Sequence, residues 1–363
     1  LIIVVFWIVR GDIWTRWDYK TLDEFHRKLI KEKDLPPISS KIVIIVQTDQ
    51  TKNHFSQTVL DRKVYVAVND SLTKLNPKAI IYDFIFRFEK DTDSNLEFRR
   101  SLKALKKVYL PLGLNIKDNL KRTPQEKKWN SRQLLPFIGT PIQKGKRAHV
   151  FANPSLIPYQ DFIKDVFTVG HINIQSDSDR VFRHYLLLLR FELGYLPAIT
   201  FSAFLDSINV SLGEIIVDWG NEVTIPAKPE NKLQKDLIIP IDNEGRTYIP
   251  FPSFWKGENN NFKIISLEDF LNHSEDPEYK SRLEIFFKDA FVFISDASEG
   301  GKKFGKIPIE DGVPLVLLHA AFLNSLLVDT FYKKWSLGEM LTLLFFMVFI
   351  FSCFSIINSS IYL

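Results

Sequence analysis

The residues KIVIIVQTD (41–49) and KAIIYDFIF (78–86) decide the fold class of this chain. Each is an apolar run of strand length, and each follows residues that break helices, Pro37 before the first run and Pro77 before the second. An apolar run that lacks polar alternation and is bounded by turn residues is typical of a strand buried inside a sheet. The two runs therefore predict two core strands.

Helical patterns alternate with strand patterns along the rest of the chain. Residues 64–75 predict a crossover helix, although the valine-rich part 64–68 would also suit a strand. Further helices are predicted at 98–107, 185–195, 198–212 and 316–327, and further strands at 108–112, 237–242, 247–249 and 289–295, with a turn ending at Gly245. This alternation predicts an α/β fold in which helices flank a mostly parallel or mixed sheet.

The charges of the chain almost cancel. Lysine and arginine together number 47, against 43 aspartates and glutamates, so the formal net charge of the 363 residues is +4. This balance excludes the strong basic excess of a dedicated nucleic-acid-binding protein. All of these charges lie between Arg10 and Glu339, and the one cysteine, Cys353, lies beyond them. The polar part of the chain therefore contains no disulfide.

The C-terminal apolar run is long enough for a membrane helix. Residues 340–357 read MLTLLFFMVFIFSCFSII, eighteen residues without a charge. As a helix this run would extend about 27 Å, close to the roughly 30 Å of the hydrocarbon core of a bilayer. We predict a transmembrane helix over 336–358, followed by the start of a loop at 359–363. A buried core helix is the alternative.

The N-terminal apolar run, 1–9, reads LIIVVFWIV and is too short to cross a bilayer. Because the chain begins with leucine rather than methionine, we interpret it as a fragment and 1–9 as the end of a first transmembrane helix. A buried β-strand is the alternative, since the run contains β-branched residues. Residues 10–335 would then form one large water-facing domain.

No motif in the chain compels an enzymatic function. Residues 300–306 (GGKKFGK) match the first positions of a phosphate-binding loop, but Ile307 stands where a serine or threonine would bind magnesium. The histidines lack paired metal-ligand spacing. We therefore predict no catalytic residues, no metal and no cofactor.

Several segments, in order along the chain, resemble CHASE2, a family of extracytoplasmic sensory domains of bacterial transmembrane receptors. Residues 77–86 (PKAIIYDFIF) resemble its pkaIgfDi.F segment, and 177–183 (DSDRVFR) resemble D-x-D-G-V-x-R. Residues 314–327 (PLVLLHAAFLNSLL) resemble the PGVevHA..lnsLL helix that precedes the membrane. Weaker similarities lie at 22–27, 42–49 and 238–242. The family has glycine where this chain has Arg180 and Leu315, so the chain resembles a divergent member.

The resemblance also suggests site residues. The polar side chains in the matching motifs are candidates for ligand binding or signal relay: Asp49, Asp83, Asp177, Asp179, Arg183 and His319. Carboxylates at strand ends and a motif arginine also commonly hold turns together through hydrogen bonds, which is the structural alternative.

The function that the resemblance implies is signalling across the cytoplasmic (inner) membrane. Residues 10–335 would sense a ligand on the extracytoplasmic side and control a missing output module, such as an adenylate or guanylate cyclase or a histidine or Ser/Thr kinase. We expect binding to displace helix 316–327, and we expect this helix to continue, directly or nearly so, into the membrane helix.

Expected partners are the lipid bilayer, an extracytoplasmic ligand or protein and a second copy of the chain as a homodimer, and not nucleic acid. Two other classes of function stay open. A membrane-anchored envelope enzyme would need convergent titratable groups in a pocket. A structural envelope protein would have no output module.

Overall fold

The computed structural model describes residues 12–32, 35–87, 92–117, 131–146, 151–191, 194–256, 262–298, 304–333 and 337–361. The predicted membrane segment 1–9 and most of the GGKKFGK segment lie outside these residues. Residue contacts divide the chain into two compact units whose boundary lies between Phe331 and Tyr332.

The strands of the first unit are, in chain order, β1 (Ile42–Gln47), β2 (Ala79–Tyr82), β3 (Val108–Lys117), β4 (Ile142–Lys144), β5 (Phe151–Leu156), β6 (Thr168–His171), β7 (His184–Leu186), β8 (Leu188–Phe191), β9 (Gly194–Pro197), β10 (Ile216–Asp218), β11 (Glu222–Ile225), β12 (Leu237–Pro240), β13 (Arg246–Tyr248), β14 (Lys263–Ser266), β15 (Phe291–Asp296), β16 (Phe304–Gly305) and β17 (Val313–Pro314).

The helices are α1 (Asp12–Glu32), α2 (Asp49–His54), α3 (Arg62–Leu75), α4 (Thr92–Ala104), α5 (Gln160–Ile163), α6 (Ile199–Ser207), α7 (Leu267–Glu275), α8 (Pro277–Phe287) and α9 (Val316–Val328), with α10 (Leu337–Ile361) in the second unit. Short 3-10 helices lie at Ser131–Phe137 and Leu212–Glu214.

A nine-stranded mixed sheet organises the first unit. One half is parallel, in the order β14, β1, β15, β2, β3. Strand β3 then changes partner: its first part pairs in parallel with β6, and residues 113–117 pair antiparallel with β5. Strand β8 then pairs in parallel with β5 and antiparallel with β9, which completes the sheet. The predicted α/β class, with helices flanking a mostly parallel or mixed sheet, is confirmed.

The alternating side chains of the strands divide the core into two layers. In β1, Ile42 and Ile44 pack with α6 and α9 on one face of the sheet. Val43 and Ile45 pack on the other face with α3, α4, α7 and α8. Because every residue of β1 from Ile42 to Val46 is at most 5% exposed, the strand is apolar on both faces, as its sequence predicts.

Residues 64–68, for which the sequence allowed a helix or a strand, belong to helix α3. Its N-cap, Asp61, accepts a hydrogen bond from the Lys63 backbone N–H, and Asn76 ends the helix in a left-handed conformation with φ of 50°. Buried side chains recur at Val64, Val68 and Leu72, one face of a helix. The valines therefore pack as a helical stripe and do not form a strand.

The helix predicted at 185–195 is wrong, because this segment forms β7, β8 and the start of β9. The segment is mostly apolar, with four consecutive leucines at 186–189, and such a run shows no clear helical or strand period, so its sequence cannot distinguish a buried helix from buried strands. Strands β8 and β9 form an antiparallel pair in which Leu189 lies opposite Leu196. A side chain at Gly194 would place its Cβ 2.4 Å from Ile138 Cγ2, so this close approach requires glycine.

The predicted strands and turn around Gly245 are present, and Gly245 has a φ of 80°. The two strands do not pair with each other: β12 pairs with β11, and β13 pairs with β7. Strand β12 belongs to a separate four-stranded sheet with β11, β10 and β4.

The C-terminal helices correct two expectations. Helix α9 ends at Val328, and Asp329 follows with a left-handed φ of 51°, so α9 does not continue directly into the membrane segment; the looser expectation of near continuity stays a prediction. Residues 340–357 do lie within one helix, α10. Within the described residues, however, no helix has the length and apolar character needed to cross a membrane, so the predicted transmembrane helix is not confirmed.

Candidate functional site

The six predicted site residues lie in two places in the first unit. Asp49, Asp83 and His319 are at or near the edge of the sheet where the parallel strands end, here called the carboxyl edge. Asp177, Asp179 and Arg183 form a separate group, here called the buried charge cluster because Arg183 and Asp177 are buried, whereas Asp179 lies at its exposed side.

At the carboxyl edge, Asp83 directly follows β2 and is 4% exposed. Its Oδ2 atom accepts a hydrogen bond of 2.9 Å from the Ser295 hydroxyl, which belongs to the adjacent strand β15. Its Oδ1 atom lies 3.6 Å from Nε2 of His319. Asp49, by contrast, is an exposed residue of α2 and does not belong to this buried pair.

His319 connects the carboxyl edge to α9. Its side chain is 3% exposed, and its Nδ1 atom lies 2.6 Å from the Tyr185 hydroxyl and 3.5 Å from that of Thr200. The two rings of His319 and Tyr185 meet edge to face with centroids 5.5 Å apart. Burial raises the pKa of Tyr185, so its hydroxyl stays protonated and can donate.

A second buried histidine belongs to the same region. His171, at the end of β6, is 0% exposed. Burial, and then the charge of His319, lowers the pKa of His171 to about 3. His171 is therefore neutral at ordinary pH. Sequence reasoning found neither His171 nor Tyr185, since Tyr185 was assigned to a helix and His171 stands outside the recognised motifs.

The buried charge cluster is centred on Arg183, which is 1% exposed. Its Nε and Nη2 donate to the two oxygens of Asp23 at 2.8 and 2.7 Å. Its Nη1 donates to Asp177 at 3.1 Å, and both Nη atoms donate to Asp179 at 2.9 and 2.8 Å. The Tyr19 ring lies 4.6 Å from the guanidinium carbon. All five N–H groups of Arg183 can thus be satisfied by three carboxylates.

The electrostatics of this cluster favour its charged form. Burial opposes the charge on Arg183, but hydrogen bonds to Asp23, Asp179 and Asp177 outweigh it and raise the pKa of Arg183. The hydrogen bonds from Arg183 lower the pKa of Asp179. His184 also contacts the cluster, since its Nδ1 atom lies 2.9 Å from Asp177 Oδ1.

A tight turn explains the spacing of the motif at 177–183. The Asp177 backbone N–H donates to the Val181 carbonyl, and the Arg180 N–H donates to the Asp177 carbonyl. Arg180 has a φ of 64°, a left-handed conformation for which glycine is favourable. The turn brings Asp177 and Asp179 to the arginine that follows them along the chain.

The cluster attaches α1 to the body of the domain. Asp23 is an α1 residue, and one turn later His26 makes a 2.9 Å hydrogen bond with the Phe251 carbonyl. Burial lowers the pKa of His26. Sequence reasoning quoted Asp23 within the segment 22–27 but did not select it, because nothing in one sequence indicates its distant partner.

The described residues contain no group of three or more histidine, cysteine, aspartate or glutamate side chains that could hold a metal ion. The arrangement is instead two sets of fixed polar contacts, one between α1 and the 177–183 turn and one between the carboxyl edge and α9.

Comparison with models of known protein families gives a match that covers most of the chain. The matching family is described as the CHASE2 domain, and its model covers residues 1–354 of the 363. The comparisons with curated proteins and with solved structures return no significant match. CHASE2 is a family of extracytoplasmic sensory domains without catalytic activity, usually found in signalling receptors. Since the match covers almost the whole sequence, this chain belongs to the CHASE2 domain family.

Proposed function

We propose that this chain is the extracytoplasmic sensor of a bacterial transmembrane signalling receptor in the cytoplasmic membrane. A binding event on the domain would pass through the helix of residues 336–358 to a cytoplasmic output module, an adenylate or guanylate cyclase or a histidine or Ser/Thr kinase. Membership of a sensory, non-catalytic family supports the sensory part of the proposal.

The observation that carries the proposal is the contact between Asp83 and His319. In open α/β sheets, ligands bind beside the carboxyl ends of the strands. Asp83 lies at such an end, and His319 lies on the last helix before the C-terminal apolar segment. A ligand that contacts Asp83 or the neighbouring strand ends would therefore act directly on α9.

Helix α9 is suited to transmit such a change. Its residues from Val316 to Leu326 are all buried, so the helix has contacts with the core around its whole circumference. Because packed cores have discrete arrangements and deform little, a shift at the carboxyl edge would move the helix as one body. Binding can favour the shifted state only if the ligand binds that state more tightly.

The Arg183 cluster supports a role for α1 at the other end of the chain. This helix follows the N-terminal apolar run, and Asp23 and His26 attach it to the domain. A change in the 177–183 turn would thus reach the segment before α1.

The membrane part of the proposal rests on the uncharged run 340–357. Along α10 the described apolar side chains from Leu341 to Phe351 are 46–70% exposed. Apolar side chains exposed to this extent are favourable in a hydrocarbon environment and unfavourable in water.

Signalling is tested with the 363-residue chain fused after Leu363 to a cyclase domain that is active only as a dimer. We expect Asp83→Asn and His319→Gln each to change basal cyclic-nucleotide output by about fivefold or more, the range of typical coupling energies. The double variant should change output no further, because both substitutions break one contact.

The matched control is Ser101→Ala, which removes a buried hydroxyl that bonds Asn69 on the face of the sheet opposite α9. Its output should equal that of the unaltered fusion. Unaltered output from both edge variants, at equal amounts of membrane-bound protein, would refute transmission through this contact.

Location is tested with one introduced cysteine at the exposed residue Lys63, in a chain in which Cys353 is replaced by serine. A membrane-impermeant maleimide should label Lys63→Cys in intact spheroplasts. Labelling that appears only after lysis would show that the domain faces the cytoplasm.

A further inference from the structure

Five neighbouring parallel strands of the sheet each begin at, or shortly after, a lysine. In spatial order across β14, β1, β15, β2 and β3 these residues are Lys263, Lys41, Lys288, Lys78 and Lys107. Together with Lys232, in the loop between β11 and β12, they are here called the lysine edge.

Backbone hydrogen bonds fix the alignment of these strand starts. The Phe291 N–H donates to the Lys41 carbonyl, the Lys78 N–H to the Ala290 carbonyl, and the Ile80 N–H to the Lys107 carbonyl, at 2.8–2.9 Å. Since neighbouring strands lie about 4.8 Å apart, five strand starts extend over about 19 Å. The lysines therefore form a row along one side of the domain.

Among the described residues, no ion pair joins Lys41, Lys78, Lys107, Lys263 or Lys288 to a carboxylate. Two aspartates act on this row at longer range: Asp289 opposes the lowering of the pKa of Lys78, and Lys107 opposes the raised pKa of Asp206.

Burial and the neighbouring lysines lower the pKa values of two lysines of this row. Burial, and then Lys232, lower the pKa of Lys78, with smaller contributions from Lys107 and Lys41 against the opposing charge of Asp289. Burial and Lys41 likewise lower the pKa of Lys263. These ammonium groups therefore repel one another.

Helix dipoles account for part of this row. Helices α3, α4 and α8 end on this side of the sheet, where a cation stabilises the helix C-terminus. Lys41 Nζ, for example, lies 3.5 Å from the Lys288 carbonyl at the end of α8. The dipoles do not account for Lys232, which lies in a loop between two strands and adds to the repulsion.

The chain also leaves the first unit on this side. The Asn324 side chain of α9 accepts from the Ser39 N–H at 2.8 Å, and the Ser40 carbonyl accepts from Lys263 Nζ at 3.0 Å. After the helix, Asp329 pairs with Lys235 at 2.5 Å. The apolar residues 340–357 follow shortly along the chain.

We propose that the lysine edge is a membrane-contact surface that binds the phosphate groups of anionic phospholipids. This inference rests on the proposed function, since it requires the chain to be anchored in a bilayer. Ammonium groups act as point charges that bind phosphate without a fixed geometry, which suits a fluid lipid surface. Contact with lipid would relieve the mutual repulsion of the lysines and hold the end of α9 against the bilayer.

The test uses the full chain in nanodiscs of phosphatidylcholine alone or of phosphatidylcholine with phosphatidylglycerol. Lysines are labelled with an amine-reactive reagent and quantified by mass spectrometry. We expect Lys41, Lys232 and Lys288, which are exposed, to be labelled several-fold more slowly in the anionic discs. High salt should remove the protection, since it screens exposed charges.

Control lysines should be labelled equally in both discs; exposed examples are Lys63, Lys256 and Lys280. Protection that is absent, or equal in neutral and anionic discs, would overturn the proposal. Protection in neutral discs on addition of inorganic phosphate alone would assign the row to a soluble anion and also overturn it.

A vesicle experiment separates this inference from the proposed function. If the chain does not insert into either disc, the membrane anchor is refuted, and co-sedimentation with phosphatidylglycerol vesicles then tests the lysine edge directly. The triple variant Lys41→Gln, Lys232→Gln, Lys288→Gln should bind about fivefold more weakly for each lysine removed. The variant with Gln at Lys63, Lys256 and Lys280 should bind distinctly more tightly, and equal binding by the two variants would overturn the proposal.

Discussion

At the scale of the residue, Arg183 makes five hydrogen bonds to three carboxylates. It is buried, and it faces Asp23, Asp177 and Asp179, so each carboxylate relies on the same cation. Removal of one member of a buried ionic network leaves charges without compensation, and this is far more destabilising than loss of an exposed pair.

Substitution of Arg183 therefore tests the cluster. We expect Arg183→Met to lower the free energy of unfolding by about 3–5 kcal/mol, measured by chemical denaturation. Arg183→Lys should lower it less, because a lysine keeps the charge but loses the bidentate bonds to Asp23. Equal stability of the Met variant and the unaltered chain would contradict the buried cluster.

Substitution of Arg180 by glycine should raise stability, because its left-handed backbone is strained for a residue with a Cβ. We expect Arg180→Gly to raise the free energy of unfolding by about 1 kcal/mol. Arg180→Ala serves as the control, since it removes the side chain but keeps the strain, and should leave stability nearly unchanged. A destabilised Gly variant would indicate that the arginine side chain itself is needed.

The buried imidazole of His171 predicts acid lability. Its folded-state pKa of about 3 lies below the ordinary value of 6.5, so unfolding takes up a proton between these values. The stability contribution is present above pH 6.5 and is lost as the pH falls from 6.5 toward 3, by up to about 1.4 kcal/mol per pH unit.

The measurement is the free energy of unfolding as a function of pH for the chain and for His171→Leu. The variant should have a flatter profile below pH 6.5. Val169→Ala, a buried apolar substitution in the same strand that removes no titrating group, should lower stability equally at every pH. Identical slopes for His171→Leu and the unaltered chain would exclude this origin of the pH dependence.

At the scale of the element, α9 depends on contacts at its C-terminal half. Asn324 accepts from the Ser39 N–H and donates to the Pro37 carbonyl, so one side chain connects the helix to the segment before β1. No local pattern predicts this contact, because the partners lie far apart along the chain.

Asn324→Leu should lower the free energy of unfolding by about 1–3 kcal/mol, because it leaves a backbone N–H and a carbonyl without partners. The neighbouring variant Ser325→Ala is the control, since the Ser325 hydroxyl bonds only the Ala321 carbonyl of its own helix among the described contacts. Thermal unfolding of the two variants checks the difference, and equal losses would contradict the assigned role of Asn324.

The local sequence predicted a helix or strand correctly where the composition and the length of a segment both favour the same structure. The strands at 42–47 and 291–296 have β-branched and aromatic runs bounded by turn residues, and α3 has both caps and a helical stripe. The helix prediction for 185–195 was wrong because the structure of this segment is decided by strand pairing, which is non-local. Local sequence could not predict the Asp23–Arg183 pair either, because these two residues also lie far apart along the chain.

At the scale of the whole molecule, the described chain consists of an α/β unit and a helical unit with their boundary after Phe331. The two units should be separable. We expect a chain that ends at Lys333 to keep the thermal unfolding transition of the α/β unit and to be lost from the membrane fraction at high salt, which screens the lysine edge. Retention in the membrane fraction would place the anchor elsewhere, and loss of the transition would show that the α/β unit requires the helical unit.

The saturation of Arg183 has a consequence for how the domain can recognise its signal. A carboxylate or phosphate that approached this guanidinium would find every donor already engaged by Asp23, Asp177 and Asp179. It would have to displace one of these aspartates. Binding there would therefore be an exchange, and the affinity for the incoming anion would be reduced by the free energy of the hydrogen bonds that it replaces. A signal that acts at Arg183 would be read out as the release of one aspartate.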